Sequence, residues 1–188
     1  MDDLIPISFL NDFIFCPYSI YLHNVYMESD EDIYHAKPQT RGRNAHQKVD
    51  EKQSSSDGNL IESLSVMSLE LGIYGKIDIY NKDLRALIER KYELKNIYRG
   101  QIYQLWAQCF CMESMGYIVE KIAFYEISTH KTFYQPLPTK LDKAELIQTI
   151  SSLRNFNPNN RIETTSAKCS HCIYCNLCDK TTHDNVYS

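Results

Sequence analysis

No stretch of this 188-residue chain approaches the ~18 apolar residues that a membrane-spanning helix requires, and the acidic start Met1-Asp2-Asp3 leads into no signal-peptide-like run. A cytoplasmic protein with no membrane partner is therefore expected. An excess of positive charge is missing too. Lys and Arg number 20 against 24 Asp and Glu, a net charge of −4, so a polyanion has to be held by a local patch or through metals rather than by the bulk field. There is no internal repeat, and no low-complexity segment beyond the serines 54–56. Seven cysteines are too few for a disulfide scaffold. What is present, 43% hydrophobic and 23% charged residues with 14 tyrosines, excludes a largely disordered chain. At ~100 to 200 residues per domain, the length has room for one core and a small appendage.

Four of the cysteines crowd into Cys169-Ser-His-Cys172-Ile-Tyr-Cys175-Asn-Leu-Cys178. In a reducing compartment such spacing serves ligand chemistry rather than stapling. Each three-residue step of a straight helix rotates by about 300°, so four thiols at this spacing cannot converge from one helix. Either the segment turns within itself and closes a local four-thiolate site, or three of its cysteines join a distant thiolate. Cys16, followed by Pro17, is the distant candidate. Structural zinc and an iron-sulfur cluster both fit four thiolates. Cys109 and Cys111 fall on nearly opposite sides of a predicted helix and read as small core or surface residues.

Ser8 is read as the N-cap of a helix bearing Phe9, Leu10, Phe13 and Ile14, which Pro17 interrupts or restarts as a second helix ending near Tyr26. Cys16 then sits at the junction. After an acidic loop over 28–32 and Pro38, a helix is expected over 39–53 with Arg43, His46 and Asp50 near one face. Alternation replaces helical spacing over 60–92 and predicts strands at 60–71, 73–80 and 85–92, a meander that turns at Asn81-Lys82-Asp83. A helix over 98–115, strands over 118–127 and 132–137, and a helix over 140–153 follow. Residues 1–154 thus form the main domain, and 155–188 a linker with a Cys-rich clasp.

Residues two apart in a strand share a face, so Glu89 and Lys91 point together. If Ile77, Ile79 and Ile88 join one apolar core, Asp78, Glu89 and Lys91 converge on the other face. Paired carboxylates repel unless a cation lies between them, and oxygen ligands suit Mn2+ or Mg2+. Such an ion polarises a phosphoryl oxygen and acidifies water, while a neighbouring lysine orients that water or neutralises developing charge. The plainer alternative is a solvated strand face with an incidental ion pair. His46 is a further ligand only if its helix packs toward the carboxylates. Arg41, Arg43 and Lys48 before the site, and Arg90, Lys95 and Arg99 after it, interleave with Tyr92 and Tyr98 and offer phosphate and base contacts. Ordinary solvated charge is the competing explanation.

Taken together, Phe15-Cys16-Pro17-Tyr18, Arg41-Gly42-x-x-x-His46, Gly75-x-x-Asp78, Glu89-x-Lys91, a Gln-bearing helix and the terminal cysteines resemble RecB-like nucleases with an iron-sulfur clasp. Within these the chain most resembles the fourth Cas family, the CRISPR-associated nucleases of spacer acquisition in prokaryotes. The resemblance implies an α/β, restriction-endonuclease-like (PD-(D/E)xK, RecB-type) fold, with a mixed central sheet flanked by helices. It implies that His46, Asp78 and Glu89 ligate Mn2+ or Mg2+, and that Lys91 and Gln104 complete the catalytic set. Cys16, Cys169, Cys172 and Cys178 would hold a 4Fe-4S cluster, with Cys175 as the extra cysteine. Arg41, Arg43, Tyr92 and Arg99 would meet DNA. The implied activity is cleavage of single-stranded DNA or prespacer overhangs beside the protospacer-adjacent motif, with the Cas integrase and its dimeric companion as partners. A non-catalytic DNA-binding adaptor for that integrase is the alternative. The chain departs from the family at Gln108, where the family helix carries Tyr four residues after its Gln.

Overall fold

The structure, a computed structural model, describes residues 4–26 and 58–181. His46, Arg41, Arg43, Lys48 and the helix expected over 39–53 lie outside the described residues. The fold is mixed α/β, with two mixed sheets flanked by helices. Its strands are β1 (Ile5–Pro6), β2 (Leu60–Glu62), β3 (Ser65–Ser68), β4 (Ile73–Lys76), β5 (Ile79–Asn81), β6 (Ala86–Lys91), β7 (Lys121–Glu126) and β8 (Lys131–Gln135). A three-stranded sheet runs β1-β4-β3, and a five-stranded one β2-β5-β6-β7-β8. Among the described residues no helix is long and apolar enough to cross a membrane.

The strand expected over 60–71 is two strands, and so is the one over 73–80. β2 pairs with β5, and β3 with β4, both antiparallel and with no slip in register between the two pairs. Residues 60–81 are therefore one long hairpin broken across its middle, where Ser63 takes a left-handed φ of 53°. The backbone bonds Ser63 N to Asp78 O at 3.1 Å and Ile77 N to Leu64 O at 3.0 Å span the break. The near half of the hairpin joins one sheet and the far half the other.

The helices α1 (Ser8–Phe15) and α2 (Pro17–Tyr26) meet at Cys16, as Pro17 predicted. Ser8 is inside α1 rather than capping it. Ile7 holds the cap position, its side chain makes no capping bond, and it packs into the core at 2% exposure. α3 (Arg99–Ser114) is the crossover that lets β6 and β7 run parallel. It starts on a reciprocal cap in which Tyr98 N donates to Gln101 Oε1 at 2.9 Å. α4 (Lys140–Arg154) starts on a Thr139–Asp142 capping box. α3 carries the core: Leu105, Ala107, Cys109, Cys111 and Met112 are wholly buried, against β3, β4, α1 and α4. α1 crosses α3 so closely at Gly100 that an added Cβ would lie 2.9 Å from Asn11 Cα. A second, smaller core joins Tyr18 and Leu22 of α2 to Tyr174 in the tail, with Phe156 and Ile162 packed against it.

Candidate active site and cysteine pocket

The broken hairpin puts Asp78 where β4 gives way to β5, beside β6. Arg90 N donates to Asp78 Oδ2 at 2.7 Å, which ties the carboxylate to the strand that bears Glu89. Glu89 itself is 5% exposed and held from three sides. Lys91 Nζ and Gln104 Nε2 donate to its Oε1 at 2.8 and 2.9 Å, and Gln108 Nε2 donates to its Oε2 at 2.8 Å. Asp78, Glu89, Lys91 and Gln104, singled out from the sequence, thus come together. Gln108, set apart only as a departure from the family helix, completes the cradle. It follows Gln104 by one helical turn, and that spacing on a helix facing the carboxylate strand was the signal available.

The convergence arises differently from the expectation. Ile79 and Ile88, paired across β5 and β6, point away from the main core and are only half buried. Leu87, Ile122 and Phe124 share the face of Glu89 and belong to that core, as does Ile77. The carboxylates therefore stand on the core side, beneath α3, because β6 is covered on both faces. The solvated-face alternative fails at Glu89 for the same reason. Confinement has an electrostatic consequence. Burial, and then the charge of Glu89, push the Asp78 carboxyl up to about 7, although the Arg90 amide and the Lys91 charge oppose the rise.

The expected DNA-contacting residues behave unequally. Tyr92 and Tyr98 are open, at 42% and 62% exposure. Arg99 is exposed but engaged, its guanidinium bonded to Glu145 and lying over the rings of Tyr103 and Trp106. Arg90 is 2% exposed, so it is removed from the set that could meet a nucleic acid. A cleft of about 650 Å³ opens between α1, α2, the start of α3 and the tail, lined by Asp12, His23, Arg99, Lys168 and His171 among others. Asp12 projects into it, open to water yet walled by protein. That enclosure raises its carboxyl, with His23 and then Lys91 pulling it back.

Two carboxylates in a buried cradle suit a hard divalent ion. Among the described residues, no three His, Cys, Asp or Glu side chains stand in a group that could hold a metal ion. His46, the expected third ligand, lies outside the described residues. An orphaned acceptor supports the fit: Gln108 is 1% exposed, and its Oε1 has no hydrogen-bond partner among the described residues. A buried acceptor left unpaired costs about 1–3 kcal/mol, and water carried on a cation would meet the need.

The cysteine segment turns within itself. Cys169 lies in the short helix α5 (Ser166–Ser170), capped by Thr165, and Cys175 opens a 3-10 turn, Cys175–Leu177. Cys16 from the helix junction joins them, and all five sulfurs of Cys16, Cys169, Cys172, Cys175 and Cys178 line one pocket. No disulfide forms among the described cysteines. Burial pushes the Cys172 thiol up to about 11, with smaller contributions from Cys16, Cys178 and Cys175 in that order. Cys178 is likewise raised, first by burial, then by Asp179, Cys16 and Cys169. Cys175 lies toward Thr181, its Sγ 3.6 Å from the hydroxyl. Thiolates are soft donors of the kind that zinc and iron-sulfur chemistry take, but among the described residues no three of them stand in a group that could hold a metal ion. Of the two places open to Cys109 and Cys111, core or surface, both take the core.

No family model matches the chain, and no curated protein matches it. Among solved structures, the crystal structure of a protein designated SSO0001 is similar, with a TM-score of 0.64 over 96% of this chain and 88% of that one. At 15% identity the likeness is one of fold.

Proposed function

We propose that the chain is a RecB-like, metal-dependent DNA nuclease that trims single-stranded DNA or prespacer overhangs during CRISPR spacer acquisition, alongside the Cas integrase and its dimeric companion. The observation that carries this reading is the meeting of Asp78, Glu89, Lys91 and Gln104 beneath α3, from segments distant in sequence. Asp78 and Glu89, with His46, would hold Mn2+ or Mg2+. The ion, when bound, supplies Lewis-acid polarisation of the scissile phosphate and a more acidic water.

The remaining work belongs to side chains. Lys91 spends one hydrogen on Glu89 Oε1 and keeps others to orient a water or to meet charge developing on phosphate oxygens. Gln104 holds the same carboxylate oxygen in place. Tyr92 and Tyr98 offer stacking faces to unpaired bases, and the cleft that Tyr98 lines also holds Arg99 and Lys168, cations suited to backbone phosphates. Cys16, Cys169, Cys172 and Cys178 would hold a 4Fe-4S cluster.

Anaerobically purified protein, incubated with Mn2+ and overhanged duplexes, should shorten the single strand, and Asp78→Ala and Lys91→Ala should abolish the cutting while leaving the brown chromophore intact. Parent protein that binds the DNA without cutting, with or without the integrase, would establish the adaptor alternative. One equivalent of zinc in colourless protein would overturn the cluster.

A further inference from the structure

We infer that Gln108 is a positioning residue that sets the separation of the two candidate metal-binding carboxylates and serves the hydration shell of their ion; this rests on the metal-site reading above. One amide nitrogen makes two bonds in different directions. Gln108 Nε2 donates to Glu89 Oε2 at 2.8 Å and to the carbonyl oxygen of Lys76 at 3.1 Å. Lys76 closes β4, two residues before Asp78, at the break in the hairpin. The amide therefore spans from the strand that delivers Asp78 to the side chain of Glu89 on β6, and fixes how far apart the two carboxylates stand.

The bond pattern leaves no ambiguity about which end of the amide is which. Both neighbours of Nε2 are acceptors, so nitrogen has to face them and Oε1 has to point away. That Oε1 is the buried atom with no donor among the described residues. Gln104, in contrast, donates to the other oxygen of Glu89. The two glutamines thus divide the work. Gln104 and Lys91 hold Oε1 of Glu89, while Gln108 holds Oε2, anchors the hairpin and keeps one acceptor that meets no donor among the described residues. Water on a divalent cation is such a donor, and second-shell groups of this kind change metal affinity by roughly 10–100-fold when removed.

The test is Mn2+ binding to the full, anaerobically purified chain without DNA, read from the loss of the free-ion electron paramagnetic resonance signal. Gln108→Met keeps the shape and removes both donor and acceptor, and it should weaken Mn2+ binding by roughly ten-fold or more. Gln108→Asn keeps a buried amide, one methylene too short to span both partners, and should fall between parent and Met; it serves where the Met variant does not fold. Melting curves with and without Mn2+ supply the second readout, and both variants should lose most of the metal-induced shift. A lowered melting temperature with unchanged Mn2+ affinity in the folded fraction would make Gln108 merely structural and overturn the inference. Unchanged affinity and unchanged melting would do the same. Parent protein that binds no Mn2+ would sink the metal-site reading itself, and the inference with it.

Discussion

His23 Nδ1 lies 3.1 Å from the hydroxyl of Tyr174, a contact that reaches across 151 positions and fastens the cysteine-bearing tail to α2. His23 also meets Phe9 edge-on, with ring centroids 5.5 Å apart, so it links α1, α2 and the tail. Tyr174 is 4% exposed and belongs to the small core formed with Tyr18 and Leu22. Tyr174→Phe keeps the ring and removes the hydroxyl, with an expected stability loss of about 1 kcal/mol. Tyr174→Ala empties the small core and should cost roughly 3–5 kcal/mol locally. Limited proteolysis should therefore release the segment after Arg154 readily from the Ala variant and slowly from the Phe variant, while the main core stays intact. Equal cleavage of parent and Ala variant would show that the contact does not hold the tail.

The raised Asp78 carboxyl makes the metal-free protein sensitive to pH in a defined direction. Its folded value, about 7, lies above the ordinary aspartate value of 3.8, so the folded state binds more protons than the unfolded chain between those limits. This contribution to stability is present below the lower value and is lost as pH rises toward 7. Asp78→Asn should flatten that slope and melt higher than the parent at pH 8 in the presence of a chelator. Melting curves across pH 5–8 check it, and a parallel decline in both proteins would assign the slope to other groups.

The seven thiols should separate into two classes under alkylation. Burial pushes Cys109 and Cys111 up to about 12, and both are fully enclosed, so they should resist iodoacetamide until the fold is lost. The five pocket thiols should alkylate in metal-free native protein, with Cys169 slowest because it is the most enclosed at 8% exposure. Peptide mass spectrometry on native and denatured samples reads this directly. Early labelling of Cys109 would contradict the packing of α3.

Gly100 marks the tightest approach between helices. An alanine Cβ there would stand 2.9 Å from Asn11 Cα and 3.0 Å from Asn11 O, both backbone atoms that cannot swing aside. Gly100→Ala should destabilise by roughly 1–3 kcal/mol. For a chain of this size that is a fall of roughly 2–4 °C in melting temperature per kcal/mol. An unchanged melting temperature would mean that α1 sits farther from α3.

Much of this was legible in the sequence because it is carried by local chemistry. Pro17 announced the junction at Cys16, Asn81-Lys82-Asp83 announced the turn, and helical spacing announced α3 and α4 within a residue or two at most ends. The break at Ser63 and Asp78 was not legible. Alternation runs straight through both positions, and a bent hairpin keeps its register while its halves join separate sheets, so periodicity alone sees one pair of strands. The side on which the core lies was misread for a related reason. Ile88 and Leu87 are both apolar, and only the seat of α3 decides which of them faces the main core. In the site, Glu89 and Lys91 follow from spacing within one strand, whereas the bond from Gln108 to the Lys76 carbonyl depends on tertiary placement.

The cysteine pocket joins the two ends of the described chain. The bond from the Tyr18 hydroxyl to Asp179 closes a loop of 161 positions beside Cys16. Chains are made from the N-terminus, so on the ribosome Cys16 emerges early and waits, while its partners at Cys169, Cys172 and Cys178 are still unmade. A chain released halfway would already carry Asp78, Glu89 and Lys91, yet none of the tail thiols. The pocket itself is then complete only after translation has reached the tail, and a molecule in which it is closed is one whose synthesis got that far.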